Sequence, residues 1–102
     1  MVVVIDRAIG SYHPDHPTLR YTLNYGHVPG TIAADCEEID GYLLGIIEPV
    51  EQYEGRCIAI IHSKDDIEDK LVIAPDGSRF NDEEIISKTH FQEQFFSIEL
   101  LR

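Results

Sequence analysis

Four acids stand within six residues at Asp35-Cys36-Glu37-Glu38-Ile39-Asp40, with no base among them. An extended backbone sends Asp35 and Glu37 to one side, and a turn toward Gly41 brings Asp40 back to the same point. Converging carboxylates raise one another's pKa unless a cation lies between them. Hard divalent ions take such oxygen ligands, and Mg2+ in particular takes few carboxylates and keeps several waters. A solvated acidic turn fits the same composition and needs no ligand. A second run, Lys64-Asp65-Asp66-Ile67-Glu68-Asp69-Lys70, adds four acids between two lysines. It fits either further ligands or a turn neutralised by its own bases. Neither run has the sixth-position glycine that a calcium-binding helix-loop-helix loop requires.

Other chemistry-bearing residues give weaker signals. His13-Pro14-Asp15-His16 has two imidazoles and a carboxylate, but prolines flank the group and no further ligand stands at zinc-finger spacing, so it reads as a surface loop. His27, His62 and His90 are isolated. Ser11, Ser63 and Cys36 lack a nucleophile elbow or a neighbouring base, which argues against covalent catalysis. Cys36 and Cys57 form no CxxC pair, so both are expected to be small buried hydrophobes rather than parts of a disulfide framework.

The elements that must position these groups are short. Val2 to Arg7 reads as a buried strand. After a Gly/Pro loop over 10–17, Leu19 to Val28 is extended and stops at Pro29-Gly30. Tyr42 to Ile47, Arg56 to His62 and Leu71 to Ala74 follow, the last ending at Pro75-Asp76-Gly77. Asn81, with Glu84 three residues on, signals a helix start, and Asp82, Glu83 and Glu84 suit its positive end. Ile85, Thr89, Gln92 and Phe96 share one face, while Phe95 to Leu101 would equally serve as a strand. The fold class expected is mainly β with a C-terminal α-helix, a small five-stranded OB-like barrel. Both acidic runs then lie at strand ends, where binding residues collect.

Length and charge agree with this. With 102 residues, one domain spanning 1–102 is expected. Eight Lys+Arg against 19 Asp+Glu give a net charge of −11, which repels nucleic acid and anionic membranes and favours cationic partners. Residues 1–34 are balanced (Asp6 and Asp15 against Arg7 and Arg20), so the whole deficit falls in 35–102. No apolar run reaches the roughly 18–20 residues of a membrane helix, and the apolar start is too short for a signal peptide, so a cytoplasmic protein is expected.

Read in order, these segments resemble the blocks of the soluble (family I) inorganic pyrophosphatases. Ile5-Asp6-Arg7 is similar to that family's Asp-Arg strand, and Tyr21-Thr22-Leu23-Asn24-Tyr25-Gly26-His27-Val28 to its Tyr-Pro-x-Asn-Tyr-Gly-x-Ile block. The run 35–40 resembles the signature Asp-Gly-Asp-Pro-x-Asp. Asp65 to Lys70 with Leu71-Val72-Ile73-Ala74-Pro75 looks like the next acidic block and strand, and His90-Phe91-Gln92-Glu93-Gln94-Phe95-Phe96 is similar to the helical block.

The resemblance implies hydrolysis of inorganic diphosphate, or a related phosphoanhydride, by water activated on Mg2+, with Mn2+ or another divalent ion as a substitute, in a homo-oligomer. It implies that Asp35 and Asp40 ligate metal, with Asp40 bridging two ions, and that Glu37 is both a ligand and the base toward water. One of Asp65 or Asp66, with Glu68 or Asp69, completes the metal site. Arg7, Tyr25 and Lys70 hold phosphate oxygens, supported by Tyr21. The chain differs from the family blocks at Cys36 (a Gly there), at Glu37 (an Asp), and at Phe95-Phe96, where a Tyr-Lys pair meets phosphate. The acidic run before Lys70 is one residue shorter, and the family's upstream Glu and Lys residues have no counterpart in this sequence. Those differences imply an alternative, a pyrophosphatase-like module that binds metal or phosphate with little turnover and acts in regulation or interaction.

Overall fold

The computed structural model describes residues 1–33, 36–65 and 68–102. Seven strands form one sheet: β1 (Val2–Arg7), β2 (Asn24–Val28), β3 (Ile39–Leu43), β4 (Gln52–Glu54), β5 (Arg56–Ser63), β6 (Asp69–Ala74) and β7 (Ile98–Leu101), with helix α1 (Asp82–Glu93) between β6 and β7. The spatial order is β4-β1-β2-β3-β6-β5-β7. The mainly β, OB-like expectation holds, with two corrections. Among the described residues there are seven strands rather than five, because Gln52–Glu54 and Ile98–Leu101 add edges to the five read from sequence. The barrel is also not closed: among the described residues the two edge strands, β4 and β7, do not pair.

The pairing of β3 with β6 decides where the acidic runs go. Among the described residues it is the parallel pair in an otherwise antiparallel ladder, with Asp40 beside Lys70 and Leu43 beside Ile73. Parallel neighbours begin at the same end of a sheet. Residues leading into β3 and β6 therefore meet at one rim.

Both strands are buried on both faces, as parallel strands usually are. Alternation sends Leu43, Leu71 and Ile73 to one side, where they pack with Val3 and Val28. Tyr42, Leu44, Val72 and Ala74 go to the other side, with Tyr21, Tyr25 and Ile85 of the helix. Helix α1 starts as its sequence signals: Asn81 Oδ1 accepts from the Glu84 N–H at 2.8 Å and Glu84 Oε1 accepts from the Asn81 N–H at 3.0 Å, a reciprocal capping box. It ends sooner than the helical periodicity suggests, at Glu93 with Gln94 as C-cap. Phe95 and Phe96 thus lie outside the helix. The cysteines correct another expectation, since Cys36 is exposed and Cys57 only half-buried. No helix among the described residues is long and apolar enough to cross a membrane.

Candidate functional site

The β1–β2 pair builds one wall of the site. A Cβ on Gly26 would lie 1.7 Å from the Val4 carbonyl oxygen, so glycine permits β2 to approach β1 this closely. Between Ile5 and Arg7 the register slips, and Arg7 comes to stand opposite Tyr25. Such a bulge re-aims side chains beside binding sites. Here Asp6 reaches His27, its Oδ2 lying 2.8 Å from Nδ1.

The rim holds an open cavity of about 370 Å³ lined by His27, Ala33, Glu37, Glu38, Asp40, Glu68 and Asp69. A second cavity, of about 450 Å³, shares Asp40 and Glu68 with the first and adds Arg7, Tyr25, Lys70, Gln92 and the two phenylalanines. One end of the combined cleft is thus carboxylate-rich. The other carries the cations and hydroxyl of Arg7, Lys70 and Tyr25. Five acids drawn from the two runs, Glu37, Glu38, Asp40, Glu68 and Asp69, are brought to one place. Asp65 is not: its Oδ2 accepts from the Ser97 N–H at 2.6 Å, anchoring the segment that leads into β7. Asp35 and Asp66 lie outside the described residues.

Asp40 and Asp69 each have a supporting contact. The Tyr25 hydroxyl donates to Asp40 Oδ2 at 2.8 Å. Burial, and then the Asp40 charge, push the Tyr25 pKa upward, so the phenol stays a proton donor. Asp69 Oδ1 lies 2.7 Å from His62 Nδ1 across the β5–β6 ladder. His27 sits between Asp6 and Glu38, with Nε2 3.7 Å from Glu38 Oε1. The hydrogen bond to Asp6 raises its pKa, partial burial opposes this, and the charges of Asp6, Glu38 and Asp40 add to the rise.

Behind the cleft runs a buried polar chain that sequence reading missed. Arg7 Nη1 donates to the Tyr21 hydroxyl at 3.0 Å, which donates to Gln92 Oε1. Gln92 Nε2 donates to the Tyr42 hydroxyl at 2.7 Å, and that hydroxyl donates to Glu93 Oε2. Glu93, only 2% exposed, is also 3.2 Å from Lys70 Nζ. Burial first, and then the Glu93 charge, raise the Tyr42 pKa. Lys70 is therefore held within the protein by Glu93, with the Phe96 ring centroid 5.1 Å from Nζ. A signal for Glu93 did exist, since Ile85, Thr89 and Glu93 recur every fourth residue and all three are buried.

The fit to a divalent ion rests on the donor set. Among the described residues no group of three or more His, Cys, Asp or Glu side chains converges tightly enough to cage an ion. Mg2+ requires no such cage, because it binds through one or two carboxylates and retains water. Oxygen donors around an open cavity suit a hydrated hard ion.

No protein-family model matches the chain, and no curated protein matches it in sequence. Solved structures do match, and they define the class by fold: that of the inorganic pyrophosphatases. The enzyme from Ehrlichia chaffeensis superposes with a TM-score of 0.69 at 18% identity, covering 97% of this chain and 82% of that one. The enzyme from Helicobacter pylori gives 0.69 at 15%, covering 98% and 81%. That from Thermus thermophilus gives 0.63 at 17%, covering 100% and 80%. This chain has a family I pyrophosphatase-like fold along nearly its whole length.

Proposed function

We propose that the protein is a divalent-metal-dependent hydrolase of inorganic diphosphate or a related phosphoanhydride. The observation that carries this is the junction of the two cavities, where Asp40 and Glu68 are common to a carboxylate-rich end and an Arg7-bearing end. A metal–diphosphate complex has that polarity. Its cations seek carboxylates and its anionic oxygens seek guanidinium and hydroxyl donors.

Mg2+ bound through one or two of Glu37, Asp40, Glu68 and Asp69 would neutralise phosphate charge and acidify water. The chain's own groups supply the rest. Arg7, oriented by its bond to Tyr21, takes phosphate oxygens. Tyr25 donates to Asp40 and fixes that carboxylate. Glu37 takes a proton from the attacking water, whose oxygen bonds to phosphorus as the bridging P–O bond breaks and two phosphates leave. Lys70, fixed by Glu93, contributes positive potential from beneath the cleft. The test is phosphate release from diphosphate with Mg2+, Mn2+ or Co2+ in turn. Turnover is expected in the wild type and a loss of at least about 100-fold in Glu37→Gln. Absence of release with every metal at micromolar protein would reject the proposal.

One observation favours a second reading. The Lys70 ammonium is engaged by Glu93 and covered by Phe96, which thins the anion-gripping end and suits a module that binds without turnover. Calorimetry showing divalent and diphosphate binding, with no phosphate released, would select it.

A further inference from the structure

The cation-bearing cavity has a feature that inorganic diphosphate does not use. Along with Arg7, Tyr25 and Lys70 it is lined by Leu19, His13, His16, Phe95 and Phe96. Tyr25 and Lys70 are buried, whereas Phe95 is 68% exposed and Phe96 41%. The cavity therefore grades from a buried polar end, beside the carboxylates, to an open aromatic end. Exposed aromatic rings grouped at the mouth of a cavity are a mark of a binding groove. They offer π-faces but nothing with which to grip an anion.

The His13 side of the same cavity has similar character. The His13 ring lies 4.8 Å from the His16 ring and stacks on Tyr21 at 6.4 Å, with an interplanar angle of 16°. Its Nδ1 accepts from the Asp15 N–H at 3.0 Å, which leaves Nε2 to carry the proton of the neutral ring. Partial burial and the neighbouring Arg7 charge lower its pKa. His13 thus presents a flat ring to the cavity.

We infer that the substrate is a nucleoside diphosphate, whose diphosphate occupies the Asp40–Arg7 junction and whose base lies against Phe95 and Phe96 at the cavity mouth. This rests on the function proposed above and specifies its substrate class. A cavity of about 450 Å³ is within the range of small-ligand sites. Recognition by stacking accepts any base, because every base has a π-face. In the reaction, water oxygen bonds to the terminal phosphorus as the bond from that phosphorus to the bridging oxygen breaks, and the bridging oxygen departs with the nucleoside monophosphate. Glu37 takes one water proton, and nucleoside monophosphate and inorganic phosphate leave.

The test is calorimetric binding of two non-hydrolysable probes, α,β-methylene-ADP and methylenediphosphonate, with Mg2+ and again in EDTA. Diphosphate hydrolysis is followed in parallel. Base stacking is expected to make the nucleotide probe bind about tenfold tighter or more. That ratio should collapse toward one in Phe95→Ala and Phe96→Ala and persist in Phe95→Tyr, with circular dichroism reporting the fold of each variant. Equal affinity for the two probes, alongside diphosphate hydrolysis, would overturn the inference and leave the proposed function standing. An unchanged ratio in both alanine variants would also overturn it, because the base would then lie elsewhere. If neither probe binds and no diphosphate is hydrolysed, the proposed function fails and the inference fails with it.

Discussion

The two faces of the β3–β6 pair differ more in chemistry than in burial. One face packs Val3, Val28, Leu43, Leu71 and Ile73, side chains with no polar atom. The other packs Tyr21, Tyr25 and Tyr42, whose hydroxyls bond to Arg7, Asp40, Gln92 and Glu93. The β3 and β6 side chains reach the two faces by simple alternation, and β1, β2 and the segment before β2 add Val3, Val28, Tyr25 and Tyr21 to them. Apolar packing on one side gives stability without direction. The hydroxyl-bearing side spends some of its stability on satisfied polar groups and in return orients Arg7 and Asp40 at the cleft. The proposed site sits on the face with polar handles, because only that face can fix a side chain's direction.

The sharpest way to break this contrast is Glu93→Ala. It strands the Lys70 charge in a buried position and should cost about 3–5 kcal/mol in chemical denaturation. A combined Glu93→Leu, Lys70→Met variant should recover most of that loss, since an apolar pair removes both charges together. On the aliphatic face, Leu43→Ala should cost about 2–5 kcal/mol through cavity formation, and it should leave diphosphate affinity within about twofold. A larger affinity loss would show that the two faces are coupled. Tyr42→Phe removes a hydroxyl that bonds to Gln92 and Glu93, so a loss of about 1.5–3 kcal/mol is expected. It should also reduce diphosphate affinity, because the chain from Glu93 to Arg7 is cut. The smallest effect is at Cys36, where φ is 67°. A left-handed backbone disfavours a side chain, so Cys36→Gly should stabilise by about 0.5 kcal/mol after glycine's entropic cost is subtracted.

The His27–Asp6 contact adds a pH dependence. The His27 pKa is raised in the folded protein, so the contact stabilises the fold fully below the unfolded value of about 6.5 and is lost as pH rises through the folded value. The pair is substantially exposed, with Asp6 at 54%, so screening keeps its effect small. An NMR titration should place the His27 midpoint above the ordinary value and lower it in Asp6→Asn.

Much of the scaffold was legible because it is carried by local patterns. The strand Val2–Arg7 and the Asn81 capping box follow from β-branched residues and a cap–Glu spacing. The meeting of the acidic runs was legible only in outline. Both precede strands, but their convergence depends on β3 and β6 being parallel, which is set by pairing between residues some thirty apart in sequence. Asp65 shows the limit of composition as a guide, since it shares the second run yet bonds to the Ser97 N–H. The edge strand Gln52–Glu54 has three residues and little alternation, too short for a periodic signal. Glu93 was hidden for another reason: a carboxylate on an apolar helical stripe is buried only when a cation from elsewhere, here Lys70, meets it.

The most direct test of the cleft as a hydrolytic site is 31P NMR of Mg2+–diphosphate incubated with the protein and with Asp40→Asn. The diphosphate resonance should give way to orthophosphate with the wild type and persist with the variant, which lacks the carboxylate charge at the junction of the two cavities. A diphosphate resonance that persists with both proteins, or orthophosphate formed equally by both, would contradict it.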